Sequence, residues 1–586
     1  FTAMTLAPVL TYELVHGEEP SKNVFLMFFN RKLHALTMWY EGLVPKLIAK
    51  SKTMVAIFFA GIALLGALFY FTPQGFIPDE DQSLLYVIVS LPIQSSLDQT
   101  TAAVAKMEKY MLSLPEVEAV TTGIGFGFAN NSSNQATMFV QLKPLEERKG
   151  IEASAFYLQW QLYTEFSKMP GVKALPANPP AIPGLGSTGG FAIQIEDINN
   201  LGLPTLNRVA GTILAKASAD TSLSQMRYPT IFTGPYLVAD FNRSKALAFG
   251  VSPSSVFNAL NSSTGADFVN FFNYGTRSYN VLVQSEAKYR TVPQDLNRTY
   301  VSNSAGNFMP VSQFLNIHTD TSNVAIMRFN EYNAMEIDGT NSANGSSGGA
   351  LNTMMQLAAP QTKGGNLPFG MTYEWSGIAR QQVASGPATI AIFALGLLFV
   401  FLVLVAQYES MTTPFVIMLA VPLALLGAVG GIFIRRWADV ISYVIHSKIA
   451  GHPVPIPVIS SDIYAQIGYI MLIGLAAKNA ILIVEFANQL REQGRDPIDA
   501  VTHAAATRLR PILMTSIAFI LGILPLAFAH GDGANSRISL GTAVLGGMIV
   551  STVMNLLIVP VLYIIIVTWS ERKKKPPQHE APPTPA

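Results

Sequence analysis

The residue with the clearest chemistry is Lys478, near the middle of the apolar stretch YAQIGYIMLIGLAAKNAILIVEFANQL at residues 464–490. A lysine in hydrocarbon costs at least ~2.5–3.5 kcal/mol, so it normally faces a partner or a wet cavity. Snorkelling is poor here, because the nearer end of the stretch lies about nine residues, or ~13 Å of helix, away. Left unpaired and buried it would lose its proton, so a charged Lys478 calls for a carboxylate within a few ångströms. Glu485 shares its face but sits ~10 Å along the helix, and Glu13 and Glu409 fall at span ends. No other full span carries a carboxylate near its middle, so the acid is expected from protein outside this chain.

Arg508, Arg510 and Thr515 open the next apolar stretch in RLRPILMTS. Arg508 and Thr515 are seven apart and share a face. Arg510 reads as a charge anchoring the cytoplasmic end, and Arg508 reads equally as an anchor or as a chemical partner. Gly474, Ala476, Ala477 and Ala480 keep the Lys478 helix thin enough for close helix approach. Outside the membrane the notable segment is GIGFGFANNSSN at 123–134, a glycine-rich loop with Phe126 and Phe128 on one side. Its alternative reading is ordinary core packing.

The elements that position these residues follow from composition. Half of the 586 residues are apolar and 13% are charged, against about a quarter charged in soluble proteins. The apolar residues gather into runs of bilayer length: Met54–Phe71, Thr389–Ala406, Pro414–Ile434, Ala465–Ala487, Pro511–Ala529 and Ile538–Thr568. The last is long enough to tilt or project. The basic clusters Lys46/Lys50/Lys52, Arg491/Arg495/Arg508/Arg510 and Arg572–Lys575 fall on one side, which marks the cytoplasm; Arg435 and Arg436 are the exception. Residues 72–388 then lie outside the cytoplasm. The opening FTAMTLAPVL looks like the tail of a span, as though the chain begins inside an element. Residues 23–49 read as a helix on the cytoplasmic membrane surface, and the Pro-rich tail as disordered.

The external region reads as two small α/β units. The first has the β-α-β-β-α order of a split βαβ, ferredoxin-like fold: LLYVIVSL, a helix over 95–114, VEAVTTGIG, ATMFVQLK and a helix over 153–168. The second runs through FAIQIED, a helix over 204–219 and LVADFNR. An inserted segment beginning at 235–243 and ending near 321 interrupts it, and it resumes at NVAIMRFN and ends at MTYEWSG.

A net charge of +1 leaves no basic stripe for nucleic acid, and the absence of cysteine excludes disulfides and thiolate chemistry. No GxxxxGK[ST] loop cradles a nucleotide phosphate. With His318 the only histidine of the external region, an enzyme site or metal cluster is not expected there. Met354 and Met355 read as packing.

The stretches GFIPDEDQ at 75–82, GFGFAN at 125–130, SEAKYR at 285–290, GLAAKNAILIVEFA at 474–487 and RLRPILMTS at 508–516 resemble the C-terminal half of the hydrophobe/amphiphile RND (resistance-nodulation-division) efflux pumps, the AcrB-like family. The resemblance covers essentially the whole chain in order. It implies a polytopic α-helical membrane protein with an α/β periplasmic domain, half of a twelve-span transporter in the inner membrane of a Gram-negative bacterium. On that mapping residues 1–14 end the sixth span, 15–52 are an amphipathic helix, 53–72 are the seventh span and 386–570 hold the eighth to twelfth. The porter region is 73–385, with subdomains 82–170 and 171–234 plus 322–385, and a docking insert at 235–321; 571–586 is the tail.

The resemblance implies further that Lys478, Arg508 and Thr515 form a proton relay with aspartates on an N-terminal half absent from this chain. Proton motive force, with no cofactor, would drive export of amphiphilic small molecules. The expected partners are that N-terminal half, a periplasmic adaptor, an outer-membrane channel, further copies in a homotrimer, and the bilayer. Phe126, Phe128 and Phe139 match the family's deep drug pocket, with Tyr86 and Thr137 also lining it. Thr121, Leu175 and Ala177 stand where well-known multidrug members carry aromatics, which implies a narrower or shifted spectrum and weaker stacking on flat cationic dyes. An RND-type exporter of metal ions or lipids is the rival reading.

Overall fold

The computed structural model describes residues 5–14, 24–128, 130–229, 233–323, 325–342, 345–452 and 457–574. They fall into two compact units: Phe1–Ser90, Leu97–Pro229 and Arg328–Ala586 form the larger, Leu91–Ser96 and Thr230–Met327 the smaller.

The larger unit begins with α1 (Ala7–Leu14), a short helix in the segment expected to end a span. Residues 15–23 of the expected surface helix lie outside the described residues. α2 (Val24–Ala49) is helical as expected at 23–49, and it buries Tyr40, Val44 and Ile48 at four-residue spacing. The Tyr40 hydroxyl donates to the Leu556 carbonyl at 2.6 Å, so this face is held by protein. A single residue, Lys50, separates α2 from α3 (Ser51–Phe71).

The first sheet follows. Its elements are β1 (Leu84–Ser90), α4 (Leu97–Met111), β2 (Val117–Ile124), β3 (Gln135–Leu142), α5 (Ala155–Phe166) and β4 (Lys173–Ala177), in strand order β2-β3-β1-β4, antiparallel throughout. Alternation explains the layers: Leu85, Val87 and Val89 of β1 point into a core shared with Met107 and Met111 of α4 and Leu158, Leu162 and Phe166 of α5, all at most 1% exposed. β4 pairs with β1 and lies beyond residue 170, where this subdomain was expected to end. KALPA is too short and mixed to show an alternating pattern; pairing, not sequence, places it.

The second sheet contains β5 (Phe191–Asp197), with α6 (Leu203–Ala219) after it, and β6 (Leu223–Arg227). The chain then enters the smaller unit: β7 (Thr233–Phe241), α7 (Arg243–Ala248), α8 (Pro253–Thr264), the hairpin β8 (Asp267–Tyr274) and β9 (Arg277–Val283), β10 (Tyr300–Ser302), β11 (Phe308–Pro310) and β12 (Leu315–Asn323). β7 pairs with β12, so LVADFNR belongs to the insert and not to the second sheet. The missing strand is β6, whose sequence LSQMR offers one buried apolar residue, Leu223, and so lacks a readable pattern. Back in the larger unit, β13 (Arg328–Phe329), β14 (Tyr332–Asn341), α9 (Ser347–Leu357) and β15 (Met371–Ser376) complete a sheet ordered β13-β14-β5-β15, with β6 on β14.

The membrane helices are α10 (Gly377–Tyr408), α11 (Thr412–Met418) leading into α12 (Val421–Ala450), α13 (Ile463–Glu492), α14 (Pro497–Ala527) and α15 (Ala534–Lys574). With α3 these give six helical segments long and apolar enough to cross a membrane, α11 and α12 counting as one. α12, α13 and α15 form the centre, and α3 and α10 lie outside them. Small residues let α12 and α15 touch: a Cβ on Gly431 would stand 3.3 Å from the Gly546 Cα.

Several helices outrun their expected bounds: α10 begins at Gly377 rather than Thr389, and α14 at Pro497 rather than Pro511. α12 continues from Ile434 to Ala450, and α15, 41 residues and thus ~60 Å long, runs to Lys574 into the segment expected to be disordered. Residues 575–586 of that tail lie outside the described residues.

The loop 75–83 joins membrane helix to sheet. Glu80 accepts from the backbone N–H of Asn535 (3.1 Å) and Ser536 (2.7 Å) at the start of α15, where a carboxylate suits the helix N-terminus. Its neighbour Asp81 takes both terminal nitrogens of Arg148 at 3.0 and 2.9 Å and the Ala155 N–H at 2.8 Å, at the start of α5.

Candidate functional site

Two constellations stand in the larger unit, one in the helices and one on the first sheet. In the helices, Asp462 caps α13 by accepting from the Ala465 N–H at 2.9 Å. From there one face of α13 (Tyr469, Leu472, Ile473, Ala476, Ala480, Ile483, Val484, Ala487) is buried. The face carrying Gly474 and Lys478 is exposed, and a Cβ on Gly474 would meet nothing within 4 Å. Among the described residues no carboxylate forms an ion pair with Lys478. Glu485 accepts instead from the Gln489 amide at 3.1 Å.

The next residue, Asn479, is buried and donates to the Ser516 hydroxyl of α14 at 3.3 Å. Lys478 and Thr515 are the sequence neighbours of this pair, on the outward sides of the same helix contact; Thr515 is exposed and its hydroxyl donates to the Ile512 carbonyl at 3.2 Å. Arg508 is half-buried, its guanidinium 4.6 Å from the centroid of the Phe486 ring and its Nε enclosed without an acceptor. Stacking on an aromatic face suits a guanidinium, and the vacant Nε donor leaves Arg508 capacity for an acceptor. Arg510 is exposed and donates to the Asn30 side chain of α2 at 3.3 Å. Asn479 was read in the sequence only as part of a Lys-Asn motif, and Ser516 and Phe486 were given no role, although an Asn inside an apolar helix is itself a signal of interhelical bonding.

On the sheet, register builds two rows across one face. Thr121, Phe139, Tyr86 and Ala177 stand opposite one another in the first row; Gly123, Thr137, Ile88 and Leu175 form the second. The described residues of the loop, 125–128 and 130–134, fold over this face. Gly125 turns it with φ +80°, its N–H donating to the Gln135 carbonyl at 2.7 Å. The Ser132 N–H returns to the Gly125 carbonyl at 3.1 Å, and the Thr100 hydroxyl of α4 donates to the Ser133 carbonyl at 2.7 Å.

The folding back brings four rings together. Phe128 lies with its centroid 5.5 Å from Tyr86, 5.8 Å from Phe126 and 6.4 Å from Phe139, and Tyr86 meets Phe139 edge-on at 5.3 Å. Phe126 and Phe128 are 39% and 38% exposed, open enough for an apolar guest to reach. Thr137 differs from the other four expected pocket residues: it is 0% exposed, and its hydroxyl donates to the Phe126 carbonyl at 3.1 Å. Among the described residues no three His, Cys, Asp or Glu side chains group so as to hold a metal ion.

The chain matches the model of the AcrB/AcrD/AcrF family over residues 1–445 and 454–567. It is 35% identical to the toluene efflux pump membrane transporter TtgB of Pseudomonas putida over 590 residues, covering all of this chain and 53% of that protein. Against the multidrug resistance protein MdtF of Escherichia coli K12 it is 32% identical, over 98% of this chain and 53% of that one. The multidrug export protein AcrF of the same organism is 33% identical, over 96% and 53%. The chain thus spans about half the length of the curated relatives it matches. The break in the family match, 446–453, falls at the end of α12, in the part that outruns the expected span.

Proposed function

This chain belongs to the AcrB/AcrD/AcrF family of RND multidrug efflux transporters, and from that premise we propose that it forms the C-terminal half of an inner-membrane pump exporting drugs and other amphiphiles by proton antiport. The observation that carries the reading is Lys478, held mid-helix on an open face with no carboxylate ion pair among the described residues. A charge so placed is costly, and it is retained in membranes where it pairs and moves.

In this reading an N-terminal half supplies relay aspartates to Lys478, with Arg508 and Thr515 beside them. Protonating those acids removes the attraction that holds Lys478. The helix then has two positions, and the proton gradient sets their populations. No cofactor is required. The four-ring cluster supplies the amphiphile site: its rings offer broad apolar faces and ring-edge contacts, worth ~0.5–1.5 kcal/mol per pair beyond area. A homotrimer working with a periplasmic adaptor and an outer-membrane channel, in a Gram-negative host, completes the assembly.

The test is dye accumulation in a pump-deficient Gram-negative host. That host would express the chain joined to its N-terminal half, with adaptor and channel, as parent or Lys478→Ala, at abundance matched by immunoblot. The parent is expected to lower accumulation and the variant to lose that ability. Equal extrusion by both would make Lys478 structural and overturn the antiport reading.

A further inference from the structure

We propose that Thr137 is a positioning residue that clamps the loop over the aromatic cluster and does not itself touch cargo, an inference that rests on the export reading above. Its side chain points to the ligand-facing side of the sheet by register, opposite Ile88 and Gly123, yet it is 0% exposed. What covers it is the loop, and the contact is specific: Thr137 Oγ1 donates to the carbonyl oxygen of Phe126 at 3.1 Å. Among the described residues no other hydrogen bond reaches that carbonyl.

The remaining ties hold the loop elsewhere. Gly125 to Gln135 closes its ends, Ser132 to Gly125 bridges its neck, and Thr100 fastens Ser133 to α4. None of these fixes the stretch that carries the rings. Thr137 does, at the residue bearing the first ring, and the Phe128 ring packs against that ring at 5.8 Å. The backbone around the clamp leaves it room. A Cβ on Gly123 would stand 3.2 Å from the Phe126 Cβ, and one on Gly127 would stand 2.6 Å from the Asn130 carbonyl. A side chain at 127 would therefore force this backbone to shift, and one at 123 would crowd the Phe126 side chain.

The chemistry is that of a part-buried acceptor with one donor among the described residues. Valine at 137 has the shape of threonine without the hydroxyl, so it leaves the Phe126 carbonyl unsatisfied, whereas serine keeps the donor. Loss of the clamp frees the rings to spread. A small flat guest that needs both rings at a fixed spacing then binds less well, while turnover at saturation is unchanged.

The chain has no cysteine, so Asn131→Cys on the exposed part of the loop gives its single site for a nitroxide label, any cysteine of the N-terminal half being replaced by serine. In membranes holding the complete transporter, the ratio of mobile to immobile spectral components should rise about two- to tenfold in Thr137→Val, the range set by one net hydrogen bond. Thr137→Ser should match the parent. In transport assays with a planar amphiphilic dye, Thr137→Val should raise the apparent KM by a similar factor at unchanged maximal rate, and Thr137→Ser should not. An unchanged spectrum in Thr137→Val overturns the clamp. A fall in maximal rate common to both variants, with KM unchanged, overturns the positioning role in favour of general damage. If the parent moves no dye at all, the export reading fails and the spectrum alone decides the clamp.

Discussion

Asn479 donates to Ser516 at 3.3 Å across the contact of α13 and α14, one residue from Lys478 on the first helix and one from Thr515 on the second. Both are buried. This bond fixes the rotation of the two helices about their axes at the level where the exposed lysine and threonine stand. A double-mutant cycle with Asn479→Ala and Ser516→Ala should return a coupling of ~0.5–1.5 kcal/mol, read by unfolding in mixed micelles. Each single variant should also lower dye export, although neither removes a titratable group.

The Arg148–Asp81 pair is buried on both sides, with side chains 1% and 10% exposed. Removing one member strands the other charge, which costs ~3–5 kcal/mol. Asp81→Ala should therefore sensitise the first sheet to proteolysis far more than Lys168→Ala, which removes an exposed pair. Comparable protection of the two variants would contradict the burial argument.

Asp462 links α13 to α15, accepting from the Ser539 hydroxyl at 2.6 Å as well as from its own helix. Burial pushes its carboxyl up from 3.8 to about 6, against the pull of Ser539 and the Ala465 N–H. A raised acid binds its proton more tightly in the folded state. Its stabilising contribution is thus complete below the ordinary carboxylate value and is lost as pH rises through about 6. Melting of the purified protein should show this loss between acid and neutral pH. Asp462→Asn, which still caps the helix, should flatten it.

Phe128 touches three rings, those of Tyr86, Phe126 and Phe139. Phe128→Ala should weaken apparent affinity for a flat aromatic dye by about tenfold, the upper end of one ring pair's ~0.5–1.5 kcal/mol. A bile-salt-like detergent, which has no aromatic face, should be affected less. Equal loss for both would point to collapse of the loop, which the spin label at residue 131 would report.

The six membrane-crossing helices were legible because hydrocarbon imposes a minimum length and excludes charge, and Lys478 stood out for the same reason. The end of α12 was not. The run RRWADV reads as a terminus, but its charges turn inward: Arg436 donates to the Ile459 carbonyl at 2.9 Å, and Arg435 to Asp439 and the Ala527 carbonyl at 3.3 and 3.4 Å. With its charges satisfied by protein, the helix has no reason to stop. On the sheet the residues alone offered only Phe126 and Phe128 on one side of a loop; Tyr86 and Phe139 were added by the resemblance, and the structure sets the four rings side by side. Thr137 was grouped with them by the resemblance, and neither that nor strand periodicity shows whether a loop ten residues earlier returns to cover it. β6 escaped because one buried leucine in five residues carries no period.

Glu80 and Asp81 are consecutive, and each is fully engaged with a different body: the first with the head of α15, the second with Arg148 and the head of α5. Their α-carbons are separated by one peptide unit of ~3.8 Å, which does not stretch. The two anchors therefore stay one residue apart, and an axial shift of α15 that keeps its hold on Glu80 pulls on the residue that holds the head of α5. Lengthening the chain by one glycine between them would leave every hydrogen bond able to form, yet it would make the joint slack.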